Sequence, residues 1–100
     1  MAEEIQVVDL DDYTEPAETP GCYAIYLRLS REPSPAWRAQ FQAEWQRIPT
    51  GFKRPAAVFG DRIRLEIHGD DMVREQLNFA LSLVARTNAA MARRESAGGE

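Results

Sequence analysis

His68, Asp70 and Asp71 form the densest set of chemistry-bearing side chains in this 100-residue chain. An imidazole and two carboxylates within a few residues make a donor set that suits zinc or manganese. A tetrahedral site needs a fourth ligand, and no neighbouring residue supplies one. The simpler reading is that His68 ends a strand on its polar side and that Asp70 or Asp71 caps the following helix. His68 with Asp70 has the residue types for general acid–base work. With Cys22 it would form a nucleophile–base pair if the two met in space. Cys22 is the only cysteine, so an intrachain disulfide and a multi-thiolate metal site are excluded. A small buried thiol is the commoner role for such a residue. No Gly-rich phosphate loop, G-x-S-x-G elbow or H-E-x-x-H pattern occurs. The sequence therefore reads as a protein without a catalytic set, cofactor or metal.

Around His68 the elements are easy to place. Ile63, Leu65 and Ile67 alternate with Arg62, Arg64, Glu66 and His68, the period of a strand with one buried face. Gly60-Asp61 suits a two-residue hairpin turn. That turn would pair Phe59 with Arg62, Val58 with Ile63 and Ala57 with Arg64. Cys22 to Leu29 is a second strand, with Tyr23, Ile25, Leu27 and Leu29 on one side and Ala24, Tyr26 and Arg28 on the other. Ile5 to Leu10 has the β-branched character of a short strand, with Ile5 and Val7 on one side. Residues 11–21, with two prolines and a glycine among acids, read as a loop.

Two helices follow from the apolar periodicity. Ser34-Pro35 supplies an N-cap and a first-turn proline, and Trp37, Phe41, Trp45 and Ile48 then make one apolar stripe that ends at Pro49. The aromatics at this spacing are core anchors rather than a ligand cage. Past a basic loop at Lys53-Arg54, a second helix is expected from Met72 to Arg93. Val73, Leu77, Ala80, Leu81, Val84 and Met91 gather on one side of it. Met72, Phe79 and Leu83 form a second apolar line, so the arc is wider than a single core face requires. Residues 1–4 and 95–100 read as disordered.

The order β-β-α-β-β-α predicts an α+β fold: a two-layer sandwich with a mainly antiparallel sheet of three to four strands and both helices on one face. At this length one domain is expected, burying about 65% of its unfolded surface. No apolar run approaches the roughly 20 residues of a membrane span, and the N-terminal residues are acidic, unlike a signal peptide. A cytoplasmic setting without a membrane partner is the expectation.

Net charge is −4, but residues 1–20 hold seven acids and no base, leaving twelve bases against nine acids in the remainder. The plainer reading of the acidic arm is a solvated, mobile terminus; the sharper one is that it lies over a basic face of its own body, through the strand at Ile5 to Val8. That basic face is the uncovered side of the sheet, where Tyr26 and Phe59 interleave with Arg28, Arg62 and Arg64. Such interleaving resembles the base-stacking sheets of RNA-recognition domains, which share the order strand-helix-strand-strand-helix. Their signature basic-Gly-aromatic run is absent, no strand follows the second helix, and the total charge is negative. Nucleic-acid binding through this face is thus the alternative. The leading expectation is a small interaction protein that presents a surface to a protein partner, such as an enzyme it inhibits or a complex it joins, or to a second copy. The expected surface comprises Tyr26, Arg28, Phe59, Arg62 and Arg64 of the sheet and Met72, Phe79 and Leu83 of the second helix, the last three suggesting a homodimer.

Overall fold

The computed structural model describes residues 4–18, 20–49, 55–68 and 73–98. Expectations about Lys53-Arg54, Asp70, Asp71 and Met72, and about residues 1–3 and 99–100, lie outside these. The elements are β1 (Val7–Pro16), β2 (Cys22–Leu29), α1 (Pro35–Gln46), β3 (Ala56–Phe59), β4 (Arg62–His68) and α2 (Val73–Gly98). The strands form an antiparallel sheet in the order β1-β2-β4-β3, and the two helices pack together over one of its faces. This is the expected two-layer α+β sandwich.

Local chemistry sets the element ends. Ser34 accepts the Trp37 backbone N–H at 3.2 Å, capping α1 ahead of Pro35. Gly60 has φ +59°, a left-handed conformation that glycine adopts without strain, and the hairpin pairs Phe59 with Arg62, Val58 with Ile63 and Ala57 with Arg64 as its two-residue turn requires.

Ile25, Leu27 and Leu29 of β2 and Ile63, Leu65 and Ile67 of β4 bury the helix-facing side of the sheet. Trp37 and Phe41 of α1, stacked at 5.6 Å between ring centroids, close the core from above, with Trp45 and Ile48 packed against it. Ile5, just ahead of β1, is fully buried, and Asn88 of α2 clamps it. The Asn88 side-chain amide donates to the Ile5 carbonyl at 2.7 Å, while its Oδ1 accepts the Ile5 N–H at 3.0 Å and the Trp37 indole N–H at 2.9 Å. One side chain thus ties the N-terminal segment, α1 and α2 together.

Three expectations are corrected. Residues 11–16 are strand rather than loop, because β1 continues through two irregularities that break its alternation. Helix α2 continues through residues 95–98, in place of the expected disorder. The run Ala89-Ala90-Met91-Ala92-Arg93-Arg94 is made of strong helix formers, and no breaker precedes Gly98. Leu83 belongs to the core, at 0% exposure, whereas Leu81 of the expected main stripe is 47% exposed. Among the described side chains, the buried positions of α2 are Ala80, Leu83, Val84, Thr87 and Ala90, a face centred between the two apolar lines. The helix meets the sheet on one flank and α1 on the other, so both lines are partly consumed within the chain.

Candidate functional site

The side of the sheet away from the helices carries the candidate site. Alternation along β4 sends Arg62, Arg64, Glu66 and His68 to this side once Ile63, Leu65 and Ile67 face the core. The β2–β4 register sets Arg28 opposite Arg62, Tyr26 opposite Arg64, Ala24 opposite Glu66 and Cys22 opposite His68. Phe59 of β3 stands beside Arg62 and is 58% exposed.

Like charges opposite one another in a ladder destabilise a sheet. Arg28 and Arg62 are such a pair, and β1 supplies the counter-charge. Between Val7 and Asp9 the strand advances two residues while β2 advances one, from Leu29 to Arg28. This bulge at Val8 reverses the parity of everything after it. Unbroken alternation from Val7 would send Asp9 and Asp11 towards the core; with the bulge, Asp9 lies opposite Arg28 and Asp11 reaches the uncovered side. A second irregularity between Leu10 and Thr14 spans four residues of β1 against two of β2, and so keeps parity. Leu10 stays on the helix side, and Glu15 lies opposite Ala24 on the uncovered side.

The result is a continuous ionic network. Asp11 accepts from Arg62 Nε at 2.6 Å and from Arg28 Nη2 at 3.2 Å. Arg62 also reaches Asp61 at 2.9 Å. Arg64 pairs with Glu66 at 3.0 Å and Glu15 at 3.7 Å, and the Tyr26 hydroxyl donates to Glu15. The hydrogen bond from Arg62 holds the Asp11 carboxyl below its ordinary value, against a smaller opposing cost of partial burial. The hydrogen bond to Glu15 raises the Tyr26 phenol, since it favours the protonated form. Ala24, framed by Glu15 and Glu66, is fully buried although no helix covers it. The three arginines are therefore held by carboxylates of the same chain. A shallow concavity of about 380 Å³ lies at the end of this network, lined by Glu18, Pro55, Phe59, Arg64 and Glu66.

Of the residues singled out from the sequence, Tyr26, Arg28, Phe59, Arg62 and Arg64 come together on this side. Phe79 is half-buried in the helical layer and Leu83 is buried in the core, so neither belongs to the sheet surface. Cys22 and His68 do meet as cross-strand neighbours, Cys22 half-buried and His68 exposed. Directly opposed residues have Cβ atoms about 4.5–5.5 Å apart.

Sequence reasoning leaves Glu66 out of the site and meets Asp11 and Glu15 only as charges of the acidic arm. Asp11 and Glu15 stand in a segment that reads as loop, and the strand signal there is hidden by the bulge. Comparison with known protein families, curated proteins and solved structures returns no match, so the functional reading rests on these residues and their geometry.

Proposed function

We propose that this chain is a small non-enzymatic interaction protein that presents its uncovered sheet face to a protein partner or to a second copy of itself. The observation that carries the reading is Phe59. A large aromatic stands exposed on a hairpin strand, beside arginines whose charge is already balanced by Asp11, Glu15, Asp61 and Glu66. An aromatic anchor ringed by satisfied polar groups suits the centre of a protein interface, where desolvating an unpaired charge would be costly.

The same balance weighs against nucleic acid. Affinity for a polyanion comes chiefly from cations that release its counterions, and here each sheet arginine would first have to leave a carboxylate. A test combines light scattering with capture from an extract of the source cells. A dimer in solution, or a stoichiometric partner lost in Phe59→Asp, supports the reading. A monomer that binds RNA through this face, with a steep salt dependence, would replace it with the nucleic-acid alternative.

A further inference from the structure

Among the described residues, arginines without an ion pair occur on the helical layer. Arg47 at the end of α1 and Arg86 and Arg93 of α2 border a groove of about 430 Å³ between the helices, with Glu44 at its floor. Glu44 is almost fully buried; it accepts from Gln40 at 2.8 Å and from Arg47 at 3.4 Å. Among the described residues Arg86 and Arg93 make no ion pair, and both are exposed. They are seven residues apart on one helix, roughly 10 Å along the axis. Beyond Arg86 the groove continues into a concavity of about 410 Å³ that includes Ile48, Pro49, Phe79 and Leu83.

We propose that this helix–helix groove docks an acidic segment of a protein partner, its carboxylates on Arg86 and Arg93 and an apolar side chain against Ile48 and Phe79. The inference rests on the reading of the chain as an interaction protein and names a second surface for it. Charge complementarity selects the occupant. Arginine forks pair with carboxylates in two-point geometry. The apolar end of the groove matches a peptide side chain, whereas a nucleic-acid backbone would place phosphate there. In a chain of net charge −4, Arg86 and Arg93, without an ion pair among the described residues, are also a steering site for a mixed acidic–apolar segment.

The probe is a fluorescein-labelled peptide of glutamates with a leucine at every fourth position, titrated with the full chain at low salt and followed by anisotropy. Saturable binding, weakened roughly tenfold or more in Arg86→Glu/Arg93→Glu and weakened by salt, is the expected result. Both arginines are exposed, so circular dichroism and urea melts should match the wild type; Arg86→Gln/Arg93→Gln provides a milder variant. Equal binding by wild type and double variant, or by a glutamine-for-glutamate control peptide, overturns the proposal. Displacement of the peptide by a hexanucleotide RNA at equimolar concentration would assign the groove to nucleic acid and likewise overturn it. A concentration-dependent mass in light scattering that the double variant abolishes would assign the groove to a second copy and overturn it too. Partner capture that depends on Phe59 is read separately, so the groove can fail while the interaction reading stands.

Discussion

Asp11 is the residue on which the sheet face turns. It bridges Arg28 of β2 and Arg62 of β4 from an edge strand, and those arginines hold its carboxyl ionised below the ordinary carboxylate range. A group with a depressed folded-state value adds stability above its unfolded value, about 3.9, and loses it as pH falls through the folded one. Wild-type stability is therefore expected to fall more steeply than that of Asp11→Asn as the pH drops below about 4, as urea midpoints across pH would show. At neutral pH the wild type should be the more stable of the two. Asn88 is the corresponding residue of the core side. Asn88→Ala removes three hydrogen bonds and strands the Ile5 backbone and the Trp37 indole, which should cost about 1–3 kcal/mol in a urea melt. A loss within a few tenths of a kcal/mol would mean that the clamp contributes nothing.

Among the elements, α2 gives the sharpest contrast. Leu83→Ala should cost about 2–5 kcal/mol, whereas Leu81→Ala should stay within about 0.5 kcal/mol, because one position is sealed and the other open. The reverse order would put the helix in the phase expected from its main stripe. Most elements are legible in the sequence. The hairpin at Gly60-Asp61, the cap at Ser34 and the alternation along β4 are each written in consecutive residues. The phase of α2 is not, because periodicity gives the width of an apolar arc while the neighbours decide where its centre falls. Strand β1 is half legible. Its bulge at Val8 destroys the period-two signal while delivering Asp9, Asp11 and Glu15 to the face where the sequence places Arg28, Arg62 and Arg64. The docking of the acidic arm is thus legible in its partners but not in its extent, since the edge strand runs on to Pro16 through residues that read as loop. Deleting residues 1–18 would consequently remove Ile5 from the core along with the charges, and the truncated chain should be destabilised as well as more basic.

At the scale of the whole molecule, charge is arranged in two layers. The sheet face is neutralised by the chain's own acidic strand, and Arg86 and Arg93, without an ion pair among the described residues, border the groove between the helices. The central claim is that Arg28, Arg62 and Arg64 are occupied in cis and not offered to an outside anion. The most direct measurement follows their side-chain Nε–Hε NMR signals while a short single-stranded RNA is added at low salt. In the wild type these signals should stay in place; in Asp11→Asn/Glu15→Gln they should shift with the RNA concentration. Shifts of equal size in both proteins would show that the strand does not hold these arginines, and would return the sheet face to the nucleic-acid reading.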